Sequence, residues 1–528
     1  MNRVQRILSL TMVPVLVLLL IFRLYLQAAF PVIGDEAYYF FWGHHFSGGY
    51  YDLPPMIGWW ERFFTFFSEE PFWLRIPNLL VVLAVVLGMR DWLSLQVPKA
   101  KATTVSLLYF FSPIPFLAIL ISHDVALLLF TFFSALLFYR GYLVKNPKKE
   151  FFFSGVLWGV SFLSKYFAVF VLPFYLIWHF TRTRHKRSNL SILYFILGLL
   201  PFLIQHLHWN ANHCWSNFVF NLVTRQQVNE GPVYRVVGFY LIYLLILITP
   251  VFWFDLFKSR LKKWFVSRSP LESFFLGMWL VPISLFGVTA LLGRGQGLHW
   301  YFPYIPFFFL WIGLRYSFAS LKRKLRMMMY MSGTLCLFLI YFLHFPESSV
   351  GKKIAQSHPL EFEIAFHGRD WAESIATEMN TALWGENDLI VSDGYTLTSL
   401  LHHELHRYFQ KDFFFRQASL PTIANWGGGS RFGRVFDWTV DYLEFEGKNV
   451  AFITGKFLSG DSFSRYFDES RISQKSLNGV KYWIYFGRGF HANEYVNEVM
   501  KPSWKIFYPE FWLEKYIPSS CQLRATHE

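Results

Sequence analysis

Long apolar stretches separated by short polar ones run from the N-terminal end of the chain to about residue 346. Crossing roughly 30 Å of hydrocarbon takes about 20 apolar residues. By that measure the pattern predicts about eleven membrane spans, at 7–29, 74–94, 103–121, 124–141, 151–164, 166–181, 189–208, 236–257, 272–292, 300–317 and 327–346. The fifth and sixth are short and meet at Ser164-Lys165. The first is expected to stay attached as a helix: Gln27-Ala28-Ala29 makes a poor cleavage site, and Arg23 and Tyr25 lengthen the segment beyond a signal core.

Between the first two spans, residues 30–73 form a long aromatic loop, in which Glu36–Phe46 and Met56–Phe67 are predicted to lie as helices in the membrane interface. Residues 209–235 make a second polar, Asn-rich loop suited to capping a cavity. After residue 346 the pattern changes. Short runs at 388–393, 449–455 and 480–487 read as strands, with a helix from Tyr395 to Phe409 among them. The expected fold class is therefore mainly α: a polytopic helical bundle spanning 1–346, with interfacial helices in its first outer loop and a small C-terminal α/β domain, 347–528, on the outer face.

Composition agrees with a chain solvated largely by lipid. It is 54% hydrophobic and 16% charged, against about 25% charged in globular domains. The basic residues are unevenly placed. With a cytoplasmic N-terminus, the inner loops hold Arg90, Lys99 and Lys101, then Arg140, Lys145, Lys148 and Lys149, then Arg182, Arg184, Lys186 and Arg187, with Lys258–Arg268 and Arg315–Arg326 following. The outer side holds only Arg62, Arg75, Lys165, Arg225, Arg235 and Arg294 before the C-terminal region. This asymmetry sets the C-terminal domain outside. It also explains the net charge of +14 as a topology signal, which argues against a nucleic-acid partner. Of the cysteines, Cys336 lies in a helix, while Cys214 and Cys521 both fall on the outer face.

Ionisable residues at a membrane boundary are costly and tend to face a wet cavity or a partner. On the outer side the acids nearest helix ends are Asp35, Glu36 and Asp124. Asp124 and Asp35 each have two readings, a helix N-cap or a site residue; capping leaves the adjacent Glu36 and the Pro54-Pro55 pair unexplained. The few outer cations, Lys165, Arg75 and Arg294, together with His299, either snorkel to headgroups or converge on a lipid-linked phosphate.

The stretch "GDEAYYFFWGHHFSGGYYDLPPMIGWW" resembles the first outer loop of bacterial polytopic glycosyltransferases of the GT-C superfamily, in the branch related to protein O-mannosyltransferases and lipid A aminoarabinose transferase. "EEPFWLRIPNLL", "SHDVALLLF" and "FLSKYFAVF" follow in family order, with weaker matches at "LHWYFPYIPFFFL", "DWAESIATEMN" and "VSDGYTLTSLLHHEL". The resemblance implies inverting transfer of a sugar from a polyprenyl (undecaprenyl-type) phosphate donor to a hydroxyl of an envelope acceptor, at the outer face of a bacterial inner membrane. Asp35 would be the base, Glu36 would orient it or the acceptor, and Asp124 would be the second acid. Lys165, Arg75, Arg294, His299 and Tyr51 would bind the donor phosphate or substrate. Metal use varies in the superfamily, so a divalent ion stays open, with Asp35, His123 and Asp124 as candidate ligands. The resemblance leaves the sugar and the acceptor (lipid A, lipopolysaccharide, another glycan or protein) undefined.

"LLHHELHRYF" carries His402, His403 and His406 without the His-Glu-x-x-His spacing of a zinc protease, and reads as a solvated helix face. "GRGQG" and "WGGGSRFG" lack the strand-to-helix context of a nucleotide loop. The rival from another class is a flippase for polyprenyl-linked sugars, which has no need for a base on a long outer loop or for a large outer domain.

Overall fold

The computed structural model describes residues 3–182, 191–213, 215–222, 225, 232–253, 269–381, 388–411, 422–426 and 440–502. Cys214, Cys521 and most of "WGGGSRFG" lie outside them.

Helix α1 (Arg3–Ala29) leads, after a 70° bend, into α2 (Gly34–His44). α3 (Met56–Thr65), α4 (Pro71–Ser94) and α5 (Lys99–Phe110) follow. Pro113 and Pro115 then hold Ile114–Ile119 as a tight 3-10 turn, since proline cannot supply the amide that an α-helix needs. The guanidinium of Arg23, buried between the rings of Phe110 and Phe116, donates to the freed carbonyls of Phe110 (2.9 Å) and Pro115 (2.6 Å). α6 (His123–Arg140), α7 (Lys148–Ser164), α8 (Leu172–Arg182) and α9 (Ser191–Asn212) form the middle of the bundle. α10 (Ser216–Leu222), α11 (Val233–Ile248), α12 (Pro270–Leu291), α13 (Ile305–Arg315) and α14 (Phe318–His344) complete it.

The expectation of about eleven spans is corrected. Among the described residues, five helices are long and apolar enough to cross a membrane: α4, α6, α9, α12 and α14. Counting the bent α1–α2 pair as one span makes six. The surplus came from apolar runs that fold as short pieces. Residues 103–121 divide at Pro113, 151–181 break at Lys165, and the run from 236 is interrupted at Thr249, whose φ is 62°. The last surplus run, 300–317, is a 3-10 turn followed by α13, which is buried from Ile305 through Gly313. A helix apolar on all sides suits a protein interior as well as lipid, and α13 takes the interior. α9 shows the contrasting pattern. Leu193, Ile196, Leu197, Leu200, Ile204 and Leu207 are exposed along one stripe of it, the arrangement expected of a lipid-facing side.

The C-terminal part begins with α15 (Ser349–Ala355) and α16 (Pro359–Thr381). A five-stranded sheet follows, built from β1 (Leu389–Ser392), β2 (Thr422–Asn425), β3 (Val450–Thr454), β4 (Phe467–Leu477) and β5 (Val480–Phe490), in the order β2-β1-β3-β5-β4. β1 is parallel to β2 and β3, whereas β5 runs antiparallel to β3 and β4. The sheet is apolar on both faces. Ile390, Ala451 and Ile484 face α16 and α17 (Tyr395–Lys411), while Val391, Phe452 and Tyr485 face a second core around Trp426 and Tyr495.

This part is sewn to the first loop. Val32 and Ala37 share one core with Leu397, Leu400 and Leu401 of α17. The approach is so close that a Cβ on Gly34 would run into the side chain of Thr396. Arg407 adds an ion pair to Glu70 at 3.0 Å.

Candidate active site

The acids fall in two clusters, and neither Asp35 nor Asp124 is a helix N-cap, whereas Glu36 accepts from the Ile33 amide at 3.4 Å and so helps cap α2. The N-cap of α2 is Ile33, which puts Asp35 and Glu36 in the first turn. The N-cap of α6 is Ser122, whose Oγ accepts from the Asp124 amide at 3.1 Å. Each carboxylate therefore sits at the positive end of a helix dipole.

Asp35 is exposed, and its Oδ1 accepts from the hydroxyl of Tyr395 at 3.0 Å. Glu36, its neighbour, is buried and paired with Arg75, which is wholly inaccessible. Arg75 Nε and Nη2 donate to the two Glu36 oxygens at 2.9 and 2.6 Å. Its remaining donors go to the carbonyls of Gln27 (3.0 Å), Phe30 (2.7 Å) and Pro31 (3.1 Å). The Ile121 amide closes the Glu36 shell at 2.8 Å. All five guanidinium N–H groups are thus spent inside the protein, and what they join is the end of α1, the start of α2 and the turn before α6.

Asp124 is buried, with Lys165 Nζ at 2.8 and 3.0 Å from its two oxygens. The Nε2 atoms of His123 and His299 stand 3.4 and 3.8 Å from Oδ2. His123 is held from its other side by the hydroxyl of Tyr39 at 2.8 Å. Lys165 occupies its place because the break between α7 and the following 3-10 turn leaves it extended (φ −165°, ψ 141°), so its side chain points inward between Phe167 and Trp300. The guanidinium of Arg225 lies over the other part of this assembly, 5.2 Å from the Trp300 ring. His299 is about half exposed, which leaves the cationic cluster open on one side. Arg294 is partly exposed in the loop five residues before His299, its amide bonded to Thr289. Tyr51 is buried against Phe220.

Lys165, His299 and Asp124 are thus brought together, whereas Arg75 belongs to the Glu36 cluster. Asp35, His123 and Asp124 do not converge as a ligand set. Among the described residues, the metal-type donors that do converge are His44, Glu69 and His406. The reading of "LLHHELHRYF" as a solvated face is also overturned, since His402 and His403 are buried against Phe40 and Phe41 of α2. Two contributors went unnoticed in the sequence. Arg225 was visible as one of the few outer cations. Tyr395 carried no signal, because its partner is 360 positions away.

Residues 52–209 match the model of the dolichyl-phosphate-mannose-protein mannosyltransferase family. A curated relative, the lipid A galacturonosyltransferase RgtD of Rhizobium johnstonii, is 32% identical over 142 residues, a match that spans 26% of this chain and 30% of that protein. Among solved structures, ArnT from Cupriavidus metallidurans in the apo state superposes with a TM-score of 0.56 at 14% identity, covering 90% of this chain and 98% of ArnT. Its complex with undecaprenyl phosphate gives 0.55, again at 14% identity, with 90% and 97% covered. The chain thus carries a segment, 52–209, that matches the mannosyltransferase family model, and its overall fold is similar to that of ArnT.

Proposed function

We propose that the protein is an inverting glycosyltransferase of a bacterial inner membrane, which moves a sugar from a polyprenyl phosphate to a hydroxyl of an envelope acceptor. The carrying observation is the pairing of an exposed carboxylate, Asp35, with an open cationic cluster around Asp124 and Lys165 at the same end of the bundle. In this reading the acceptor oxygen attacks the anomeric carbon as the bond from that carbon to the phosphate oxygen breaks. The acceptor proton passes to Asp35, and the electron pair of the broken bond leaves on the polyprenyl phosphate. Tyr395 aims Asp35. Lys165, His299, Arg225 and Arg294 offset the leaving charge, and Asp124 keeps Lys165 in position. Glu36 and Arg75 hold the frame that carries Asp35, and Tyr51 lines the first-loop side of the pocket.

The N-terminus is cytoplasmic and the C-terminal domain, 347–528, extracytoplasmic. In support, the Lys- and Arg-rich loops beginning at Arg140 and Arg315 lie at the opposite end of their helices from Asp124 and His299, as expected when basic loops stay inside. The name of the curated relative makes lipid A the first acceptor to try, and its undecaprenyl phosphate complex makes ArnT the guide to the donor lipid. The test is transfer by the purified protein in liposomes, using polyprenyl-phosphate sugars and an envelope lipid extract. Asp35→Asn is expected to abolish transfer while leaving donor binding intact. Transfer that persists in Asp35→Asn sinks the base assignment, and movement of the donor lipid between leaflets without transfer favours a carrier.

A further inference from the structure

Away from the acid clusters, a second group of side chains gathers where three segments meet. Glu69, in the turn before α4, has Oε1 3.0 Å from His44 Nε2 at the end of α2, and Oε2 3.2 Å from His406 Nδ1 on α17. All three ligand atoms lie within 4.8 Å of one another. The Nδ1 of His44 faces the Phe40 carbonyl at 3.0 Å. Donation there places a proton on Nδ1, as backbone carbonyls do for metal-bound histidines, so that Nε2 either donates to Glu69 Oε1 at 3.0 Å as part of an imidazolium or, in the neutral ring, presents its lone pair to a cation. Glu69 Oε2 and His406 Nδ1 are buried and close, yet not aligned for a hydrogen bond. With both rings neutral, two imidazoles and a carboxylate present lone pairs to one point and repel one another unless a cation lies between them; a proton on either ring is the competing arrangement. The imidazole ring of His402, one turn before His406, is buried 5.7 Å from His406 and 6.0 Å from His44, and its Nδ1 has no hydrogen-bond partner.

We propose that His44, Glu69 and His406 bind a Zn²⁺ ion that fastens the C-terminal domain to the first outer loop. Two imidazoles and a carboxylate suit zinc, whose Zn–N and Zn–O bonds are about 2.0–2.2 Å long, and disfavour magnesium or calcium, which prefer all-oxygen shells. Tetrahedral ligands at that bond length stand roughly 3.3 Å apart, close to the separations of the histidines from the two oxygens of Glu69, 3.0 and 3.2 Å, while all ligand atoms stay within 4.8 Å. A fourth position is left for water or, after a small rotation, for His402. The role is structural: His44 is nine residues beyond Asp35 on one helix, about 13 Å along its axis, out of reach of the reacting atoms. The proposal therefore stands or falls independently of sugar transfer.

The test uses the full-length protein in detergent, with any affinity tag removed, stripped with chelator and titrated with zinc. One zinc per chain is expected, with a rise in melting temperature on binding. Glu69→Gln and His406→Gln should each weaken binding at least tenfold and abolish the rise, whereas His358→Gln, on the exposed surface, should change neither. Should either site variant fail to fold, cobalt added to the stripped wild-type protein decides. Intense visible ligand-field bands of a tetrahedral site, lost on adding zinc, support the proposal; the weak spectrum of the hydrated ion overturns it. Equal zinc binding by wild type and a folded site variant also overturns it, and makes the group a plain imidazolium–carboxylate clamp.

Discussion

Replacing Arg75 tests how the outer end of the bundle is held. The side chain is fully buried, with two of its five donors on Glu36 and three on backbone carbonyls. Arg75→Met leaves Glu36 charged in a site with no cation, and removing one member of a buried pair costs about 3–5 kcal/mol. Arg75→Lys keeps the charge but loses the fork. With hydrogen bonds to charged groups worth about 1.5–3 kcal/mol each, losing one or two of them costs about 3 kcal/mol. Glu36→Gln alone should cost about as much as Arg75→Met, while the double variant should cost less than the sum by at least about 2 kcal/mol, because no unpaired charge remains. The measurement is denaturant unfolding in detergent, followed by tryptophan fluorescence, alongside donor KM. An Arg75→Met variant as stable as wild type, or strict additivity, refutes the structural assignment. So does an Arg75→Lys variant of unchanged stability but raised donor KM, which would return Arg75 to the leaving phosphate.

Lys165→Met strands buried Asp124 and should destabilise the protein by about 3–5 kcal/mol; pairing it with Asp124→Asn should restore much of the stability but not the transfer rate, as unfolding and liposome assays would show. Tyr395→Phe should lower kcat by up to about tenfold through loss of one hydrogen bond to Asp35, with melting temperature and donor KM unchanged. Glu61 is buried with no hydrogen-bond partner for either oxygen, and burial, reinforced by the charge of Glu36, pushes its carboxyl well above the usual range. The folded state then holds a proton that the unfolded state releases, so stability should fall as pH rises from the ordinary carboxylate range toward the raised folded value; Glu61→Gln should flatten that slope in denaturation curves. Gly34→Ala should loosen α17 from α2, seen as faster proteolysis of the C-terminal domain, and Thr396→Ser, which removes the obstructing methyl, should partly restore it.

Local chemistry was legible in the sequence; contacts between distant segments were not. The alternation of short apolar runs located β1, β3 and β5, and a helix beginning at Tyr395, close to where they form. β4 escaped notice because it is exposed along most of its length, buried only at Phe467 and Leu477, and so shows no apolar alternation. Apolar runs overstated the number of spans because hydrophobicity reports exclusion from water, whether by lipid, as for the stripe on α9, or by protein, as for α13. The scarcity of basic residues in the loops expected outside drew attention to Lys165, Arg75 and His299, and the structure buries Lys165 and Arg75 in ion pairs with Asp124 and Glu36. It did not divide them between clusters, since Arg75 is claimed by the carbonyls of Gln27, Phe30 and Pro31 at the bend after α1. For the histidines of α17, the helical period predicted a common face, but what covers that face is α2, far away in sequence.

The hydrogen bond from Tyr395 to Asp35 also sets a clock. The two residues are 360 positions apart, so at about 5–20 residues per second a ribosome needs roughly 20–70 s to reach Tyr395 after making Asp35. During that interval the first loop is already at the membrane, but its carboxylate has no tyrosine and Gly34 faces no helix. A chain truncated before α17 keeps every acid and every cation of the two clusters, yet never acquires the contact that aims Asp35. The contact between these two residues therefore forms only with the last third of the polypeptide, after both clusters have been made.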